Sequence, residues 1–115
     1  MLNRAHRFHG LHALDFAYKR GQTVRGQAVS LKYTENNRQS DYRVAVVVSK
    51  KVSKSAVVRN RIRRRVYEIA RHELSGVMQS YDLIFMVYGV DVATMDAKQL
   101  QNQVSGLLKK ALPTL

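Results

Sequence analysis

The sequence predicts an α+β fold, a single α/β sandwich in which helices lie on a sheet of about four strands, in the order α-β-β-β-α-β-α. Three observations predict it. Two β-branched or aromatic, nearly continuous apolar runs, "YRVAVVVS" (42–49) and "YDLIFMVYG" (81–89), have the length of buried strands. A stretch with helical periodicity, 55–73, separates them, and an amphipathic stretch, 94–112, follows the second. At 115 residues, 45% of them hydrophobic, the chain suits one domain, 1–115, with a modest core and is too short for two.

Taken in order, "HGLHALDFAYKRG" reads as a first helix over about residues 10–19. Leu11, Leu14 and Tyr18 fall on one side of it, and Gly21 is its candidate C-cap. A short strand near 23–25 would supply the fourth strand of the sheet. In "QAVSLKYT" (27–34), Val29, Leu31 and Tyr33 alternate with Ala28, Ser30 and Lys32, as in a half-buried strand. The polar "ENNRQSD" (35–41) turns the chain into strand 42–49, whose composition is that of a strand covered on both faces. Ser55 is the candidate N-cap of helix 55–73. At ~100° per residue, Val58, Ile62, Val66 and Ile69 share one sector, the stripe that docks on the sheet. After strand 81–89, Thr94 is the candidate N-cap of the last helix. Lys109 and Lys110 suit its C-terminal dipole, and Leu107, Leu108 and Leu112 read as core or lid residues over the sheet.

Several function classes are excluded on composition. The chain has no cysteine, so disulfides, thiolate metal sites and cysteine nucleophiles are absent. Its longest apolar run, "LIFMVY" (83–88), is far below the ~20 residues of a spanning helix, and "MLNRAHRFHG" lacks a signal-peptide h-region. The protein is therefore read as cytoplasmic. His6, His9 and His12 repeat at i+3 but have no carboxylates in ligand spacing, and read as surface or partner-facing residues. The eight acids, Asp15, Glu35, Asp41, Glu68, Glu73, Asp82, Asp91 and Asp96, are scattered, so the chain alone is not expected to be a catalyst.

The net charge of +12 is unevenly placed. From Lys50 to Arg71 there are nine lysines and arginines against the single acid Glu68, a local charge of +8. Within that stretch "RNRIRRR" (59–65) puts five arginines into seven positions. Ile62 interrupts the run because the helix must be anchored. Arg59 and Arg63 then flank the stripe on one side, Arg61 and Arg65 on the other, and Arg64 with Arg71 lies opposite. Asn60, placed on the exposed side with Tyr67, can both donate and accept hydrogen bonds. Arg59/Arg63 and Arg61/Arg65 are like-charged i,i+4 pairs, which destabilise an isolated helix. A polyanion resolves that conflict, and arginine's planar fork suits phosphate. A membrane surface fits less well, since it needs a free apolar face that this helix spends on the sheet. From charge and shape alone, an rRNA-binding ribosomal protein and a duplex-DNA binder both stay open. The docked stripe and the lack of a dimer zipper speak against the DNA binder.

The segment "VSKKVSKSAVVRNRIRRRVYE" (48–68) resembles the motif of the bacterial ribonuclease P protein family, in which a strand ending in a Ser-Lys-Lys-like element leads into an Arg-Asn-Arg helix. Arg7-Phe8, Tyr18 with Gly21, "YDLIFMVYG" and the final amphipathic helix extend the resemblance along the chain. The resemblance implies a basic subunit that assists a large catalytic RNA in removing the 5′ leader of precursor tRNA, with Mg2+ ions working on the RNA. It implies RNA binding by Lys50, Lys51, Lys54, Arg59, Asn60, Arg61, Arg63, Arg64 and Arg65; Arg65 is basic where many relatives are apolar. It further implies a leader-binding cleft with Phe8, Tyr18 and Tyr33, where Leu14 stands in place of a frequent aromatic. Its implied partners are the catalytic RNA and the leader, with neither membrane nor small-molecule substrate. It also implies a left-handed crossover between strands 42–49 and 81–88, against the usual right-handed rule.

Overall fold

Strands Gln22–Val24 (β1), Val29–Glu35 (β2), Arg43–Val48 (β3) and Tyr81–Val87 (β4) form one sheet in the order β1-β2-β4-β3. The structure is a computed structural model that describes residues 21–35, 42–77 and 80–112. The expected first helix, with Phe8, Leu14 and Tyr18, the three early histidines and turn residues 36–41 lie outside the described residues. The pairs β1/β2 and β2/β4 are antiparallel, while β3 and β4 are parallel and joined through helix Ala56–Glu73 (α1). Helix Ala97–Ala111 (α2) follows a 3₁₀ turn, Val90–Ala93. This is the α+β fold with a four-stranded mixed sheet that the sequence predicts.

The sheet is organised around β4. Its register places Phe85 opposite Leu31 on β2 and Val46 on β3, so one apolar row crosses three strands. Phe85 and Leu31 are fully buried beneath α1 and α2. Burial of each such side chain contributes ~1.5–3 kcal/mol. The alternate residues of the sheet, Ala45, Ile84 and Met86, form a second small apolar cluster on its other face. Ile84 is fully buried there, which explains why β4 reads as a continuous apolar run and not as an alternation. At the end of this face Arg43 grips Asp82 through two hydrogen bonds of 2.8 and 2.9 Å. That buried pair joins β3 to β4 and neutralises both charges.

Three expectations need adjustment. Strand β3 is an edge strand, and Val47 is 40% exposed, so coverage on both faces holds for Ala45 but not for Val47. The N-cap of α2 is Asp96, whose side chain accepts from the Gln99 N–H, and Thr94 instead closes the 3₁₀ turn. The buried line of α1 runs Ile62, Val66, Ala70 and on to Leu74, with Ile69 only half-buried beside it. An i, i+4, i+8 line stays under the helix axis over this length, and small Ala70 permits the close approach. Ser55 caps α1 as expected, accepting from Val58 N–H, and Gly76 at φ +84° turns the chain away after the helix. Leu107, Leu108 and Leu112 are all in the core.

Candidate nucleic-acid interface

The stripe that anchors α1 also decides where its arginines point. Ile62 and Val66 are fully buried, so Arg61 and Arg64 emerge on the outward surface, while Arg59, Arg63 and Arg65 flank the contact and are half-buried. Lys50, Lys51 and Lys54 lie exposed on the turn that leads into the helix. The helix N-terminus adds its own partial positive charge to these lysines. The cations predicted from 50–65 are therefore brought onto one helix and the turn preceding it.

The partners of the arginines are informative. Arg59 donates to the Ser53 carbonyl at 2.9 Å, and Arg63 donates to Asn60 Oδ1 at 2.8 Å. Arg65 donates to the carbonyls of Val92 and Met95. Every one of these acceptors is neutral. Among the described residues Arg61 and Arg64 have no hydrogen-bond partner, and no arginine of 59–65 is in an ion pair. By contrast Arg43 is neutralised by Asp82, and Arg71 pairs with Glu68 at 3.1 Å. The fold thus orients the arginines of the motif without discharging them. Five guanidinium groups left without a counter-charge in one short segment repel one another, and an anion with regularly spaced charges relieves the repulsion.

Two side chains have roles different from those expected. Asn60 is exposed and holds the Arg63 guanidinium through its carbonyl oxygen, leaving its amide N–H groups free to donate outward. Tyr67 is not beside it on the exposed side: its hydroxyl accepts from the Val46 N–H at 3.3 Å and covers the open edge of β3. Arg65 ties α1 to the 3₁₀ turn, so part of its fork serves the fold. Pattern reading missed that role because the turn's carbonyls are distant in sequence. Val57, 69% exposed, joins Arg61, Arg64 and Arg65 in lining a shallow depression of about 230 Å³. An apolar residue amid cations gives a base or ribose something to rest against, and the i, i+4, i+7, i+8 spacing could have revealed it.

Of the cleft residues, Phe8 and Tyr18 lie outside the described residues. Tyr33 is half-buried against the core on the helix-covered face, and its hydroxyl donates to Gln22 Oε1 at 2.9 Å across the β1–β2 pair. At the far end of β2, Tyr81 faces Glu35, and burial together with that carboxylate raises its pKa above the ordinary value of 10.0. It therefore stays protonated as a donor through the physiological range. No helix among the described residues is long and apolar enough to cross a membrane.

Comparison with known proteins agrees with this geometry. The family model for ribonuclease P matches residues 2–112. The ribonuclease P protein component of Caldanaerobacter subterraneus is 38% identical over 93 residues, covering 81% of this chain and 78% of the relative. That of Clostridium botulinum strain Loch Maree is 39% identical over 95 residues, covering 82% and 83%. The Staphylococcus aureus RNase P protein structure superposes with a TM-score of 0.81 at 27% identity, covering 95% of this chain and 97% of that one. The Thermotoga maritima RNase P protein shares the fold, with a TM-score of 0.78 at 20% identity over 90% of this chain and 96% of that one. With its motif, its sheet order and this match along nearly its whole length, the chain belongs to the bacterial ribonuclease P protein family, the RNA-binding protein subunit of the tRNA-processing holoenzyme and partner of its RNA.

Proposed function

We propose that the chain acts as one RNA-binding domain, 1–115, that grips the catalytic RNA through α1 and its leading turn and presents a cleft to the 5′ leader of precursor tRNA. The observation that carries the reading is the set of undischarged arginines: among the described residues Arg59, Arg63 and Arg65 are oriented by neutral acceptors, and Arg61 and Arg64 are left unpartnered. Lys50, Lys51 and Lys54 extend the cationic surface, and Asn60 adds hydrogen-bonding capacity within it. Phosphate contacts of this kind position an RNA, while base stacking supplies tolerance to sequence.

In this reading the hydrolysis belongs to the RNA and its Mg2+ ions. Among the described residues no three His, Cys, Asp or Glu side chains gather as a metal-ligand set, and no step is assigned to a metal held by the protein. The protein contributes charge: a +8 segment offsets the repulsion between catalytic RNA and substrate phosphates. RNA-free protein is expected not to cleave precursor tRNA but to restore cleavage by the catalytic RNA at low magnesium. Cleavage by the protein alone would overturn the assignment.

The leader cleft is proposed to use Phe8, Tyr18 and Tyr33. A ring stacked on an unpaired leader base contributes ~1–3 kcal/mol and accepts any base. Tyr18→Ala is then expected to weaken binding of precursor tRNA toward the lower end of that range, because Leu14 replaces a second aromatic, and to leave mature tRNA unaffected. An equal effect on both RNAs with a lowered melting temperature would make Tyr18 a core residue instead.

A further inference from the structure

The 3₁₀ turn that Arg65 holds also borders a second concavity, separate from the arginine depression. A groove of about 300 Å³ lies between the β1–β2 connection, the end of β4 and the first half of α2. Gln27, Tyr88, Asp91, Met95, Gln99 and Gln103 line it. Its chemistry is unlike that of the cationic surface, because among the described residues that line it the only charge is a carboxylate.

Two acceptors stand out. Among the described residues Gln103 Oε1 is buried without a hydrogen-bond partner, and the amide nitrogen of the same side chain meets only the Met95 sulfur, a weak acceptor, at 3.8 Å. Buried polar atoms are ordinarily paired, so the Gln103 amide holds hydrogen-bonding capacity beside the groove that the described residues leave unspent. Asp91 is exposed and makes no ion pair among the described residues, in a chain of net charge +12. Its carboxylate lies against Gly89, where a Cβ would collide with Asp91 Oδ1, so the glycine makes room for the acid at the groove. Around these acceptors Tyr88 exposes 56% of its surface, Met95 supplies an apolar contact, and the Gln27 and Gln99 amides can donate or accept.

A carboxylate repels phosphate, while an aromatic ring and a thioether favour a flat, uncharged ring system. Unpaired RNA bases are read in this way, by stacking and by hydrogen bonds to their edges. Of the four bases only guanine offers two adjacent N–H donors, N1–H and the exocyclic amine, that one carboxylate can accept in parallel. Its O6 would be left for an amide donor, which glutamine supplies. We infer that this groove binds an unpaired guanine base. The inference rests on the reading of the chain as an RNA binder and adds a base preference at a place away from the arginines. The guanine can belong to a bound RNA strand or to a free nucleotide.

The test uses the full chain with labelled RNA nonamers: uridine only, uridine with one central guanine, and uridine with one central adenine. The guanine strand is expected to bind about tenfold more tightly than the other two, equivalent to about 1.4 kcal/mol. In Asp91→Asn, the ratio of guanine to uridine strand falls to near one, with an unchanged circular-dichroism melt. Competition by guanosine monophosphate would assign the groove to a nucleotide; guanine preference without such competition would assign it to a strand. A wild-type ratio near one, or a ratio preserved in Asp91→Asn, overturns the inference. Arg61→Glu/Arg64→Glu separates this failure from that of the arginine reading: it should weaken all three strands alike and leave the ratio intact. If it weakens none, the role given to α1 fails.

Discussion

Helices α1 and α2 cover the same face of one sheet, yet they carry different surfaces outward. Each begins with a capping side chain, Ser55 or Asp96, and each ends with basic residues in its last turn. They touch one another, with Gln101 donating to Glu73 at 3.2 Å. Helix α2 buries Leu100, Val104, Leu107, Leu108 and Ala111, a broad stripe, whereas α1 buries only Ile62, Val66 and Ala70. The narrower stripe leaves more of α1 free, and that freedom is filled with arginine. Docking to the sheet needs the stripe and the cap, and both helices have them. The arginines of α1 serve neither requirement, apart from the Arg65 tie to the 3₁₀ turn. Their concentration is therefore a statement about a partner and not about the fold.

The sharpest break in this comparison comes from charge reversal. Arg61→Glu/Arg63→Glu/Arg64→Glu should remove three charge-assisted contacts at ~1.5 kcal/mol each, about 4.5 kcal/mol together. Affinity for ribonuclease P RNA should fall roughly 10³-fold by filter binding, while the melting temperature holds or rises as like-charge crowding is relieved. The matching reversal on α2, Lys98→Glu/Lys109→Glu/Lys110→Glu, should change that affinity far less. Equal losses from the two helices would erase the distinction.

Next in size, Ile62→Ala should behave in the opposite way. Deleting a fully buried side chain costs ~2–5 kcal/mol of stability, read as a shift in the denaturation midpoint. RNA affinity of the folded fraction should persist. Leu108→Ala on α2, also fully buried, should fall in the same range, because the two helices are alike in how they dock. A variant at Ile62 that keeps its stability but loses RNA binding would place that residue in the interface.

The smallest effect is at the caps. Ser55→Ala and Asp96→Ala each remove one side-chain acceptor from a helix N-terminus, at 3.3 Å in both cases, and should cost ~1 kcal/mol in thermal unfolding. Asp96→Ala should leave RNA binding as it was. Ser55→Ala, which frays the turn beside Lys54, should add a small loss of affinity.

Local patterns made most of this fold legible. Ser55, the strands and the Ile62/Val66 line depend on period and capping, which a linear sequence displays. The Asp96 cap was also available, since Asp96 followed by Gln99 has capping-box spacing, but Thr94 offered a competing start three residues from Ala97. What local pattern does not display is pairing across distance. The Arg43–Asp82 bridge spans 39 residues, Tyr67 reaches Val46 across 21, and Arg65 reaches Val92 across 27. Each assigns a polar side chain to the fold that the sequence offers equally to a ligand. The same limit hid the groove at Asp91 and Gln103, whose walls come from three separate segments. The charge of 59–65 was legible; that Arg59, Arg63 and Arg65 are held by neutral acceptors required the structure.

The central claim is that the outward arginines of α1 are the phosphate contacts of the subunit. The salt dependence of binding to ribonuclease P RNA tests it most directly. The logarithm of the binding constant against the logarithm of salt concentration should have a slope of about −0.7 to −0.9 for each phosphate contacted. In Arg61→Glu/Arg63→Glu/Arg64→Glu the slope should flatten by about one unit per lost contact, about three in all. A slope unchanged from wild type would contradict the account and move the RNA to another surface of the protein.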